Sequence, residues 1–125
     1  MVTKALVVDD DRAVGELIVA LLDGVGMTAE AETNSVRAAE RLAREKFDAI
    51  FLDVSMPGLD GMELTRRARA GGYNQKTPIV MITGLEDPSL MRKGFEAGVN
   101  FFLFKPVDRK TLLRVVRASQ DFVTR

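Results

Sequence analysis

The chain is 125 residues long, 46% apolar, without cysteine or histidine, and its 18 Lys+Arg balance its 18 Asp+Glu. That length suits one domain with a buried core, and the balanced charge gives no pull toward nucleic acid or an anionic membrane. Disulfides, thiol chemistry and histidine acid–base catalysis are excluded, and any bound metal is confined to hard, oxygen-seeking ions such as Mg²⁺ or Ca²⁺.

Residues 1–4 run straight into a strand, which leaves no room for a signal peptide, and no apolar run approaches the ~20 residues of a membrane span. A cytoplasmic protein without a membrane partner is expected. Ala5-Leu6-Val7-Val8 reads as a buried strand and ends in Asp9-Asp10-Asp11. Apolar residues then recur at helical spacing at Val14, Leu17, Ile18, Leu21 and Leu22, with Asp11 as cap or first-turn residue and Gly24 and Gly26 closing the helix. Residues 27–33 alternate weakly, as a short edge strand would. Asn34 or Ser35 caps a second helix that turns Val36, Ala39, Leu42 and Ala43 inward. Residues 47–53 form the central strand: Ala49-Ile50-Phe51-Leu52 runs into Asp53, and Val54-Ser55-Met56-Pro57-Gly58 follows. Such a run, bounded by turn residues, is buried on both faces.

Asp60 caps a third helix with Gly61, Leu64 and Ala68 on one face. Its Arg66, Arg67 and Arg69 read as a solvated exterior. Residues 78–82 are another buried strand, ending at Thr83-Gly84. A fourth helix spans residues 88–97 with Met91 and Phe95 inward and stops at Gly98. Phe101-Phe102-Leu103-Phe104 is a fifth strand, ending at Lys105-Pro106. Asp108 caps a last helix with Leu112, Val115, Val116 and Ser119 inward.

Strand and helix alternate five times. The predicted fold is α/β: a five-stranded parallel sheet, doubly wound as (βα)5, in one domain over residues 1–125 with no output domain in this chain. Four of the strands end in Asp9/Asp10, Asp53, Thr83 and Lys105, and ligands of such sheets sit beyond the carboxyl ends of the strands. Two carboxylates ~4 Å apart repel by roughly 4 kcal/mol at an effective dielectric of 20. A divalent cation relieves that repulsion, and Mg²⁺ accepts one or two carboxylates together with phosphate oxygens. Lys105 adds a fixed positive charge and Thr83 a hydroxyl donor. Such a set suits phosphoryl transfer, which asks mainly for positioning and charge neutralisation. Asp53 would be the nucleophile, and a carboxylate needs no base to activate it.

Val7-Val8-Asp9-Asp10, Leu52-Asp53, Met56-Pro57-Gly58, Asp60-Gly61, Ile82-Thr83-Gly84 and Lys105-Pro106 together make the chain resemble the receiver domain of two-component response regulators, a flavodoxin-like fold, over nearly its whole length. The resemblance implies that Asp53 accepts phosphate from the phosphohistidine of a sensor histidine kinase or phosphotransfer protein. It implies that Asp10, Asp53 and the Ser55 backbone carbonyl bind Mg²⁺ directly, while Asp9 acts largely through water. It implies that Thr83 and Phe102 move together on phosphorylation and that Pro106 follows a cis peptide bond. It makes the protein a phosphoacceptor switch rather than an enzyme, acting on a downstream protein target through its fourth helix, fifth strand and fifth helix, with a phosphorylation-dependent homodimer as one form. Phe102 lacks the hydroxyl of the more usual tyrosine, so only burial of its ring would report the switch, and Leu85 cannot orient an attacking water, so slow self-dephosphorylation is expected.

Three other readings compete. A haloacid-dehalogenase-like phosphatase wants a second aspartate two residues after the nucleophile, where this chain has Ser55. A flavodoxin-like cofactor binder cradles phosphate after its first strand, where three aspartates would repel it. A pseudo-receiver that binds partners without phosphorylation has no need of the intact Asp10, Asp53, Thr83 and Lys105 set.

Overall fold

A computed structural model describes residues 3–124, with side chains through residue 121. Five strands and five helices alternate: β1 (Lys4–Val8), α1 (Arg12–Asp23), β2 (Thr28–Glu32), α2 (Ser35–Arg44), β3 (Ala49–Asp53), α3 (Gly61–Arg69), β4 (Ile79–Thr83), α4 (Pro88–Ala97), β5 (Phe101–Phe104) and α5 (Arg109–Thr124). All neighbouring strands pair in parallel, in the order β2-β1-β3-β4-β5. The strand order reverses between β1 and β3, the kind of switch beside which doubly wound sheets open a crevice.

The sheet divides its side chains by the period of two. Leu6, Val8, Ile50, Leu52 and Met81 face α2, α3 and α4 in one apolar cluster. Ala5, Val7, Phe51, Val80, Ile82 and Leu103 face α1 and α5 in the other. Every residue of β3 and β4 is buried, as expected of strands covered on both faces. β2 is an edge strand in which Thr28, Glu30 and Ala31 are exposed and Ala29 and Glu32 half-buried.

Capping follows the sequence closely. Asp11 Oδ1 accepts from Ala13 and Val14, Asp60 Oδ1 from Glu63, Asp87 Oδ1 from Ser89 and Asp108 Oδ1 from Thr111. For α2 the cap is Asn34, whose Oδ1 accepts from Val36 and Arg37.

Four expectations about facing need correction. In α2 the inward stripe is Ser35, Ala38 and Leu42, while Val36 is 52% exposed and Ala43 also faces water. With Asn34 as cap, Ser35 is drawn under the loop after β3, and that rotation carries Val36 outward. Leu17 lies on the exposed side of α1, at 53%. In α4 the fully inward position is Gly94, and Phe95 is 52% exposed, its ring packed edge-on against Phe102 at 5.2 Å. The Phe102 ring occupies the space next to Gly94, where a Cβ would overlap it.

Arg69 is the fourth. It is half-buried rather than solvated: Nε donates to Gly98 O at 3.0 Å, Nη1 to Asn74 O and Gln75 O, and Nη2 to Asn100 Oδ1 at 2.7 Å. Among the described residues no carboxylate pairs with it. Burial pushes its pKa below the usual guanidinium value.

Candidate functional site

The carboxyl edge of the sheet collects the polar strand ends. Val8 pairs with Leu52, Asp53 with Ile82 and Thr83 with Phe104, so the residues that close β1, β3 and β4 lie at one level. Asp9 follows β1 with its amide donating to Glu32 O at 3.2 Å, and Lys105 follows β5 with its amide donating to Thr83 O at 2.9 Å. The sheet therefore fixes the backbone beneath each functional side chain.

Asp9, Asp10 and Asp53 each place a carboxylate oxygen within 4.8 Å of the others. Asp9 is 2% exposed and Asp53 8%, while Asp10 is open to solvent. Lys105 Nζ reaches over the buried pair, 3.5 Å from Asp53 Oδ1 and 3.7 Å from Asp9 Oδ2. Both distances are long for hydrogen bonds, so the ammonium is shared between the two rather than locked to either. Asp9 Oδ1 accepts from the Asp11 amide at 2.9 Å, but Asp9 Oδ2 is buried with no hydrogen-bond donor. Burial pushes the Asp9 pKa above its ordinary value, and the negative charges of Asp53 and Asp10 add to that push. The Asp11 amide and Lys105 oppose it.

The remaining site residues from the sequence fall around this cluster. Thr83 is 4% exposed, and its Oγ1 accepts from the Leu85 amide at 3.1 Å, tying it to the β4–α4 loop. Leu85 itself is 66% exposed. Ser55 is exposed in the loop after β3. Phe102 is half-buried on β5, pairs with Met81 and packs on the α4 side of the sheet, away from the acidic rim. The Lys105–Pro106 peptide bond is cis.

Two supporting residues carry more than their sequence reading gave them. A Cβ on Gly61 would stand 2.5 Å from Asp53 O and 2.8 Å from Met81 Sδ, so only glycine lets α3 begin this close to the end of β3. Ser35, read only as an alternative cap, sends its hydroxyl to Pro57 O and receives the Leu59 amide, both at 2.9 Å. The Asp-Gly pair at residues 60–61 was visible as a motif. Nothing in the sequence pointed from Ser35 to residues 57 and 59.

This geometry suits an oxygen-ligated divalent cation. Three crowded carboxylates, one with a buried oxygen lacking a donor, form a hard donor set whose repulsion a cation would relieve. Among the described residues no helix is long and apolar enough to cross a membrane.

Known proteins match both sequence and fold. The family model for the response regulator receiver domain matches residues 5–117. Response regulator MprA of Mycobacterium ulcerans (strain Agy99) is 40% identical over 118 residues, covering 94% of this chain and 50% of that protein. The chain thus spans about half the length of the curated relatives it matches. A putative response regulator from Chloroflexus aurantiacus J-10-fl superposes with a TM-score of 0.90 at 32% identity, covering 97% of this chain and 99% of that one. The receiver domain of sensor histidine kinase PA1611 from Pseudomonas aeruginosa PAO1, solved with a magnesium ion coordinated in the active site cleft, superposes with a TM-score of 0.84 at 26% identity, covering 100% of both chains. Family, fold and acidic rim agree: the chain belongs to the response regulator receiver domain family of two-component signalling.

Proposed function

We propose that this receiver is a Mg²⁺-dependent phosphoacceptor switch in which Asp53 takes a phosphoryl group from the phosphohistidine of a sensor histidine kinase or phosphotransfer protein. The observation that carries this reading is the shared position of Lys105 over Asp53 and Asp9, inside a three-carboxylate cluster at the carboxyl edge of the sheet. Asp10, Asp53 and the Ser55 carbonyl are the residues that would hold Mg²⁺, with Asp9 supporting it through water. Bound Mg²⁺ supplies positive charge that offsets the carboxylates and the phosphoryl oxygens.

In the transfer, an Asp53 carboxylate oxygen forms a bond to phosphorus as the phosphorus–nitrogen bond of the donor imidazole breaks, and the imidazole leaves with that electron pair. Lys105 neutralises one phosphoryl oxygen. The Thr83 hydroxyl donates to another while its oxygen still accepts from the Leu85 amide, which passes the event to the β4–α4 loop. Phe102, packed against Gly94 and Phe95, adjusts with that loop, and a downstream protein or a second receiver reads the α4, β5 and α5 surface. This is switching rather than turnover of a substrate, in a cytoplasmic setting.

Mass spectrometry after incubation with acetyl phosphate and Mg²⁺ tests the reading. The wild type gains the mass of one phosphoryl group, and Asp53→Asn gains none. A wild type of unchanged mass sinks the proposal.

A further inference from the structure

The loop from residue 54 to 60 carries the Ser55 carbonyl, yet few hydrogen bonds hold its middle. At its ends the Val54 amide donates to Ile82 O, and the Gly61 amide to Val54 O. Met56 is buried in the core, and Val54 and Leu59 pack against the same cluster. Among the described residues, the only hydrogen bonds that reach residues 55–59 from elsewhere in the chain come from Ser35. That hydroxyl is 5% exposed and uses both its capacities: it donates to Pro57 O and accepts from Leu59 N–H, each at 2.9 Å.

The two bonds straddle Gly58. Its φ is +81°, and a Cβ there would stand 2.9 Å from Ser35 Oγ, so the loop folds over the hydroxyl only because residue 58 is glycine. Asn34 does the capping of α2, which leaves Ser35 free for this contact.

We infer that Ser35 is a positioning residue for the metal half of the site: its hydroxyl fixes the loop that presents the Ser55 carbonyl. The inference rests on the Mg²⁺ site proposed above. Ligand-bearing groups depend on such outer contacts, whose loss typically weakens metal affinity 10–100-fold. Ser35→Ala removes the hydrogen-bond partner of the Pro57 carbonyl and of the Leu59 amide, and the loop relaxes toward water to satisfy them. The Ser55 carbonyl relaxes with it. The carboxylates and Lys105, held by the sheet, stay in place.

The test is the Mg²⁺ dissociation constant by calorimetric titration, paired with amide exchange of residues 55–59 in the metal-free protein. Ser119→Ala is the control. It removes another buried hydroxyl, bonded to Val115 O on α5 far from the loop. Ser35→Ala should raise the dissociation constant about tenfold, speed exchange across the loop, and shift the Mg²⁺ dependence of acetyl phosphate labelling without lowering its rate at saturating Mg²⁺. Ser119→Ala should bind Mg²⁺ as the wild type does. Equal affinity for wild type and Ser35→Ala would overturn the positioning role while leaving the proposed function intact, as would equal weakening by both variants. A wild type that takes up no Mg²⁺ would overturn both.

Discussion

Lys105 Nζ stands 3.5 Å from Asp53 Oδ1, close enough for Coulombic coupling but too far for a tight hydrogen bond. The lysine is therefore available to an anion placed on Asp53. Its two proposed effects have opposite signs. Lys105→Met removes positive charge from an acidic cluster, so Mg²⁺ should bind at least as tightly. Phosphorylation by acetyl phosphate should slow by about 10²-fold, the usual loss when a charge-stabilising donor is removed. Calorimetry and labelling kinetics read the two separately.

Asp9 sets a pH dependence. Its carboxyl titrates above the ordinary 3.8 in the folded protein, first because of burial. A carboxyl with a raised folded pKa favours folding most below its unfolded pKa, and that contribution is lost as pH rises through the folded value. In the absence of Mg²⁺, charged Asp9 thus opposes folding at neutral pH. Asp9→Asn should raise Mg²⁺-free stability at pH 7, because the amide removes a buried charge that Asp53 and Asp10 repel. The advantage should shrink as pH falls toward 3.8, which urea titrations across that range would follow.

Mg²⁺ should raise the melting temperature of the wild type, since it binds only the folded cluster. At ten times its dissociation constant the gain is about 1.4 kcal/mol, some ~4 °C for a domain of this size. Asp53→Asn should melt higher than wild type without metal and respond less to it. Scanning calorimetry with and without Mg²⁺ decides.

Gly94→Ala should perturb Phe102 directly. The new Cβ would overlap the ring, which must turn outward or push α4 away. Overpacking of this kind costs about 1–3 kcal/mol. NMR shifts of the Phe95 and Phe102 rings should move together, because the two pack edge to face.

Arg69→Met should destabilise the fold by about 2–3 kcal/mol, since hydrogen bonds to a charged donor are worth about 1.5–3 kcal/mol and four acceptors lose this donor, two of them keeping another. Arg66→Met and Arg67→Met, each losing only an exposed pair with Glu63, should be nearly neutral by urea denaturation.

The acidic rim was legible in the sequence because buried parallel strands are continuous apolar runs, and a carboxylate or lysine closing such a run has one place to go. Asp9, Asp53 and Lys105 all follow that rule. Arg69 escaped because periodicity reads one helix at a time, while its acceptors come from Asn74, Gln75, Gly98 and Asn100. Val36 and Phe95 were placed inward on apolar character alone. Neighbouring small residues, Ser35 and Gly94, took the inward positions because a loop and a ring needed the room.

The two ends of α4 are tethered unequally. At Gly98 the chain is clamped: Arg69 binds its carbonyl, its amide closes on Gly94 O and Phe95 O, and Asn100 locks the next residues to Ile79. At the opposite end, residues 84–89 are exposed, and among the described residues a single hydrogen bond, from the Leu85 amide to Thr83 Oγ1, ties them to the acidic rim. A pull on Thr83 would therefore act on the long arm of a lever whose fulcrum lies at Gly98, and a shift of that one hydroxyl would become helix tilt, greatest where Leu85 already stands in solvent.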